Sequence, residues 1–511
     1  MVRRNVVVLL AGLVVAVLAG CSTKPNPALC CTTAADCSAV GLSQPKSCGD
    51  GLLCRGNQCI AEVCSISSDC DASAPYCSMG QCGESCNDDS QCPGAAQDPG
   101  QSICVSGACV ECRADPDCKG ATPACVNNSC VQCRAAADCP VVAPVCDANM
   151  CRACKLDADC PSNACDVDSG QCVAETQIRY ASPTGLDTND CSIAAPCTPT
   201  QAYNTVDAGH PWLRMLPGMY MSPQVTVTGK AVRIIATGAT MSSTSGSATS
   251  ISIGPNGSAS IRGLAVYLGP SSTSSSGLLC VPTSGSGVLI LEDVTITIDN
   301  SGPTVAALAV GPNCMLTLAR SSLTGATQLQ ENSTSVIDRG RFAGHFEVMT
   351  NHATAGISVV VTNSVFVDTN FAPSLGSTAS GQSINIENST FYSSTTSLAG
   401  ACAFSTLPAT AMTLTNNIFY APNAPNALRI DSSCTADTNV AYPQTTNSAG
   451  ANAIVLDPKL VDAVIGDFHL QAGSPAIDAA KTTATPPTED FDGTMRPQGA
   501  RNDIGAFEFK P

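Results

Sequence analysis

Five charged residues in the second half of the chain are of types that could move protons: Glu292, Asp293, Arg320, Asp338 and Arg339. Carboxylates take and return a proton, and a nearby guanidinium holds the developing anion. When the short apolar runs around them are aligned, Asp293, Arg320 and Arg339 fall in one column of successive repeats. A column of unlike charges also accounts for itself as a solvated row of ion pairs, and that is the preferred reading. His345, Glu347 and His352 form a thinner second group without a matched acid. Asp490 and Asp492-Gly493 resemble the start of a calcium loop, but the Glu that such a loop needs at its twelfth position is missing, so a closing turn is expected there. The chain shows no nucleophile elbow, phosphate loop or zinc-protease helix.

The elements that could position such groups begin with an export signal. Met1-Val2-Arg3-Arg4 precedes an unbroken apolar run from Val6 to Ala19, which is too short to span a membrane. The run ends in Leu18-Ala19-Gly20-Cys21. This pattern resembles the lipobox of bacterial lipoproteins. The resemblance implies cleavage before Cys21, a lipid on its thiol and an acylated amine, hence firm anchoring by several chains. Residue 22 is Ser, and the Asp that keeps lipoproteins at the inner membrane is absent, so outer-membrane, cell-surface placement is expected.

Of 33 cysteines, 27 lie in the first 172 residues; with Cys21 set aside, both the remaining 26 and the six beyond are even numbers. An exported chain meets an oxidising compartment, so disulfides are expected. The spacing C-x5-C-x6-C-x4-C recurs at Cys64, Cys70, Cys77, Cys82, at Cys112, Cys118, Cys125, Cys130 and at Cys133, Cys139, Cys146, Cys151. Near-copies run from Cys86 to Cys109 and from Cys154 to Cys172, and a six-cysteine unit runs from Cys30 to Cys59. The C-x2-C steps between units could be zinc pairs, but export and the lack of nearby His favour bridges. A 21-residue unit cannot bury a useful core, and two bridges can replace one. The spacing resembles the Dickkopf N-terminal and EGF-like repeats of bacterial surface proteins, which implies a stalk of spacer or contact modules over residues 30–172.

After Cys172 the chain turns to Ser, Thr, Asn, Gly and Val, with few charges. Short alternating runs separated by turn residues read as all-β. Aligned, their last apolar residues are Val266, Ile296, Leu323, Phe342, Phe366, Phe391 and Phe419, at gaps of 30, 27, 19, 24, 25 and 28. That is the irregular period of a solenoid coil, here a right-handed parallel β-helix, with these seven residues as an inward column. Asn363, Asn388 and Asn416 are expected to form an asparagine ladder at one turn. The opening Ile178–Gly185, Ala195-Pro196-Cys197 and Met215–Tyr220 resembles pectin-lyase-like β-helices, which implies a capping helix near Gln201–Ala208. The tail is similar to the choice-of-anchor Q signature: Asp457–Leu460, Asp467–Leu470, Gly473–Ala479, Asp490–Gly493, Arg496-Pro497 and Asp503–Glu508. A local Cys191–Cys197 bridge and inter-coil pairs Cys280–Cys314 and Cys402–Cys434 are expected.

The expected organisation is a signal (1–20), a linker (21–29), a stalk (30–172) and a β-helix with its tail (178–511). The expected role is a lipid-anchored structural or adhesive surface protein, with no cofactor or metal. Its partners would be the membrane, through Cys21, and an extracellular polysaccharide or surface protein. The net charge of −17 argues against nucleic acid. The alternative is a polysaccharide lyase or glycosidase.

Overall fold

The computed structural model describes residues 103–511, apart from 222–223, 248–250, 300–304, 350–355, 375–380, 403–411, 431–433 and 446–448, together with a few strands and turns between 52 and 92. Cys21 and its signal lie outside the described residues. The chain divides into two compact units, residues 1–172 and 173–511.

In the first unit each described cysteine quartet folds alike. One 3-10 turn precedes the second cysteine (Asp115–Asp117, Ala136–Asp138, Asp157–Asp159), and a two-stranded hairpin carries the third and fourth. The Asp before the second cysteine has a local reason: Asp117 Oδ2 accepts the Arg113 and Ala114 N–H groups at 2.8 and 3.1 Å. Asp138 and Asp159 repeat this bond pattern. Bridges join the first cysteine to the third and the second to the fourth: Cys86–Cys104 and Cys92–Cys109, Cys112–Cys125 and Cys118–Cys130, Cys133–Cys146 and Cys139–Cys151, Cys154–Cys165 and Cys160–Cys172. The side chains of Cys64, Cys70, Cys77 and Cys82 lie outside the described residues. A chain carrying this many bridges belongs to an exported or extracellular setting.

The second unit is a parallel β-helix. Among the described residues, eleven strands from Ile178–Ala181 to Cys434–Asp437 form one parallel sheet, and fourteen form a second that curls around the other side. From Gly263 onward each coil crosses between them through one residue with positive φ: Gly263, Asp293, Arg320, Arg339, Asn363, Asn388, Asn416 and Thr438 occupy this position in successive coils. Val266, Ile296, Leu323, Phe342, Phe366, Phe391 and Phe419 are register partners in unbroken succession. They are all buried. Within this row the rings stack at 5.1 Å (Phe342–Phe366), 4.3 Å (Phe366–Phe391) and 4.8 Å (Phe391–Phe419).

The polar ladder sits one residue later than the sequence suggests. Asn363, Asn388 and Asn416 take the left-handed turn and send their side-chain amides to Asp338, to the Asp503 carbonyl and to the Lys481 carbonyl. The next residue of each coil points back inward, is buried, and must be paired. Ser364 N–H donates to Ser389 Oγ (3.1 Å), Ser389 N–H to Asn417 Oδ1 (2.9 Å), and Asn417 N–H to Asn439 Oδ1 (2.8 Å).

At the start of this unit a short helix, Pro199–Asn204, covers the first coil, with Thr198 as its N-cap. It begins earlier than expected because Pro199 suits the first helical turn. It stops at Thr205, whose hydroxyl bonds back to the Gln201 and Ala202 carbonyls. The Cys191–Cys197 bridge closes the loop before it, and Cys280–Cys314 ties two neighbouring coils. Cys434 is disulfide-bonded, while the side chain of Cys402 lies outside the described residues. The tail folds back on the last coils. Gly505 N–H donates to the Asn416 carbonyl (2.9 Å) and Ala506 N–H to Thr390 Oγ1 (3.0 Å). Gly505 has φ +98°, and a Cβ there would sit 2.6 Å from Ile418 Cδ1, so both conformation and space require glycine.

Candidate functional site

The turn column gathers the charged residues that the sequence singles out. Asp293, Arg320 and Arg339 stand on it, each just past the strand that carries Glu292, Ala319 or Asp338. Arg320 Nε donates to Asp293 Oδ1 at 2.9 Å, and its Nη2 reaches both Asp293 and Glu292. Arg339 Nε donates to Asp338 Oδ2 (2.8 Å), and its Nη1 donates to Glu489 of the tail (2.7 Å). Asp338 Oδ1 also accepts from Thr362 Oγ1 and Asn363 Nδ2, each at 2.9 Å. Both guanidinium groups are thus held between two carboxylates, and the neighbouring acids raise the Arg320 pKa further from neutrality. The column's acids and bases face each other.

The remaining sequence candidates separate. His345 and Glu347 stand on the strand Arg341–Met349, with Gln328 Nε2 3.4 Å from Glu347 Oε2. His352 lies outside the described residues. Asp490 is buried and closes a turn: Oδ1 accepts the Asp492 and Thr494 N–H groups (3.0 and 2.7 Å), and Oδ2 accepts Glu508 N–H (2.9 Å).

Two charged groupings have no counterpart in the repeat alignment. In the first, Arg496 and Glu508 form a fully buried pair at 2.9 Å, and Arg496 also donates to the Asp503 and Gly505 carbonyls. Burial pushes the neighbouring Asp503 carboxyl up to about 6, against two backbone bonds from Asp478 and Phe509 that favour its charge. In the second, His469 lies between two acids, with Nδ1 2.6 Å from Asp467 and Nε2 2.7 Å from Asp492. Burial opposes the imidazolium, but the bonds to Asp467 and Asp492 outweigh it and raise the His469 pKa. One signal was present for this pair: residues two apart on a strand share a face, so Asp467-Phe468-His469 puts acid and imidazole together. The groups of three cysteines that come close enough to hold a metal belong to the disulfide quartets.

Comparison with known proteins adds little to this geometry. No family model and no curated protein matches the chain. Among solved structures, pectate lyase Pel9A aligns with 14% identity and a TM-score of 0.44, over 66% of this chain and 98% of that one.

Proposed function

We infer that this chain is a lipid-anchored surface protein whose disulfide stalk displays a β-helix for binding extracellular glycan. One observation carries the reading: the ionisable groups of the turn column neutralise one another, Arg320 against Asp293 and Glu292, Arg339 against Asp338 and Glu489. Groups so paired are poorly placed to take a proton from a substrate, and they suit a rigid scaffold. The outer face of the eleven-stranded sheet sets one side chain per coil at a single strand spacing, hydroxyl, amide and aliphatic groups together, through the row Ser260, Ile290, Thr317, Val336, Val360, Asn385 and Thr413. A surface that repeats at one strand spacing suits a polymer that also repeats, because weak contacts add along it.

The test is binding of the full chain to an array of acidic and neutral polysaccharides, with product formation followed in parallel. Saturable binding without new chain ends is expected. Turnover that vanishes in Arg320→Ala would overturn the reading and make the column an active site. Anchoring is tested separately by mass analysis of the mature N-terminal peptide, where Cys21 should carry acyl chains and Cys21→Ala should leave the protein out of the detergent phase.

A further inference from the structure

Where the tail lies over the last coils it leaves a cleft of about 200 Å³. Its walls include Glu387 and Asn388 from the coils and Pro486, Pro497, Ala500 and Arg501 from the tail. Asn388 stands on the turn column and Glu387 just before it, two coils beyond the ion-paired Arg339.

The polar side of the cleft is incompletely paired. Asn388 is 1% exposed. Its Nδ2 donates to the Asp503 carbonyl at 2.9 Å, which fixes the orientation of the amide, since a carbonyl can only accept. The Oδ1 is then an acceptor, and it has no partner. A buried acceptor without a donor destabilises the fold unless something supplies one. Beside it Glu387 accepts from Thr483 Oγ1 at 2.6 Å, and burial raises its pKa. Asn416 and Lys481 also line the space but are occupied: the Asn416 amide bonds the Lys481 backbone in both directions, and Lys481 Nζ pairs with Asp437. At the exposed edge Arg501 has no ion-pair partner among the described residues.

This combination selects a ligand class. An inorganic anion would meet the Arg501 guanidinium but also Glu387 and the Asn388 oxygen, both of which repel it. An apolar ligand would leave Asn388 Oδ1 unsatisfied. A ring bearing hydroxyls can donate to both acceptors, accept from Arg501, and lay its C–H face on the prolines and Ala500. We propose that this cleft is a binding site for a single saccharide residue, held at the end or at a branch of a glycan chain. The proposal rests on the glycan-binding reading above and gives it a location away from the repeating face.

The experiment uses the full chain and four monosaccharide probes, glucose, galactose, N-acetylglucosamine and galacturonic acid, read by saturation-transfer NMR and titration. A one-ring ligand has few atoms, so a Kd on the order of 1 mM is expected for the best probe. Ala500→Tyr fills the cleft from an exposed position and should abolish binding. Arg501→Ala should weaken it at least fivefold, and most for galacturonic acid if the guanidinium holds a carboxylate. Both variants must keep the wild-type thermal midpoint, which separates loss of site from loss of fold. Unchanged binding in both variants would overturn the site while leaving glycan binding intact. Polysaccharide binding without any monosaccharide binding would do the same, and would identify the cleft as water-filled. Failure of every saccharide, polymer or single ring, would overturn the site together with the reading beneath it.

Discussion

The two units hold their described residues, almost all strand and turn, in opposite ways. Among the described residues of the first unit each quartet is closed by its own pair of bridges, and little apolar surface is buried beyond the cysteines and a few small side chains. In the second, one continuous apolar core runs from Ala181 to Ala449, and only a few bridges touch it. The difference shows in the spacing. The cysteine units from Cys112 and Cys133 repeat at a constant 21 residues, whereas the coils vary from 19 to 30. A disulfide tolerates only a narrow range of Cα separations, and the modules meet it while varying a single loop: the Cys86–Cys104 and Cys92–Cys109 bridges span 18 and 17 residues against 13 and 12 for Cys112–Cys125 and Cys118–Cys130. A coil held by strand register can lengthen a surface loop at small entropic cost, provided the inward column stays in phase.

Reduction is the sharpest way to break this comparison. Each bridge contributes about 2–4 kcal/mol, and the stapled modules have nothing to replace it. In dithiothreitol the first unit should become fully susceptible to protease, while the β-helix keeps its strand circular dichroism. Loss of both signals together would mean that the β-helix also depends on its bridges. The converse test removes one ring from the stack. Phe391 is 1% exposed and faces Phe366 and Phe419. Phe391→Ala should cost about 3–5 kcal/mol in urea unfolding of the second unit and leave the first unit's disulfide map unchanged. A loss below 1 kcal/mol would show that the column does not carry the core.

How much of this was legible follows from what a sequence can encode locally. The inward column was read residue for residue, because an apolar side chain three residues after the turn recurs in every one of these coils. The polar ladder was displaced by one position, because Asn363-Ser364, Asn388-Ser389 and Asn416-Asn417 each offer two plausible candidates and only the backbone decides which faces in. The tail motifs were visible but their partners were not. Asn388 meets Asp503 across 115 residues, and Arg339 meets Glu489 across 150. No periodicity links such pairs, so the cleft and the buried Arg496–Glu508 pair belong to packing alone.

The tail and the coil edge beneath it should also respond to pH in a way the inward column does not. Asp503 rises from 3.8 to about 6 through burial, Glu387 rises for the same reason, and His469 rises because its two carboxylate bonds outweigh burial. In all three the folded protein holds its proton more tightly than the unfolded chain. The stability this gives is present below each unfolded value and is lost as pH rises through the folded one. Asp503 acts between about pH 4 and 6, and His469 above its usual 6.5. Asp437 and Asp467, whose values are lowered, lose stability only in stronger acid. The loss from Asp503 is about 3 kcal/mol. Hydrogen exchange of residues 480–508, corrected for intrinsic rates, should therefore be slower at pH 5 than at pH 8, with the inward column unchanged. Asp503→Asn should flatten the lower part of the profile. Slower exchange at pH 8 would contradict the assignment.

The smallest expected effect separates the coil from the tail within the charged column itself. Arg320 and Arg339 both hold positive φ, 47° and 56°, a conformation that costs a residue with a Cβ about 1–2 kcal/mol and that Asn adopts more readily. Arg320 pairs with acids of the preceding coil through side chains that are 38% and 47% exposed at Arg320 and Asp293. Such exposed pairs contribute about 0–1 kcal/mol. Arg320→Asn should then be neutral to slightly stabilising, because relief of the turn offsets the lost pair. Arg339 has the same turn but is only 15% exposed and ties the coil to Glu489 of the tail. Arg339→Asn relieves the same strain and should still destabilise, because it takes the Arg339 donor from Asp338 Oδ2 and frees Glu489 of the tail. Paired urea titrations of the two variants measure the difference directly. If both lose stability equally, the column is a single ionic network along the coils. If Arg339→Asn alone does, the ion pair at this turn serves to hold the tail in place.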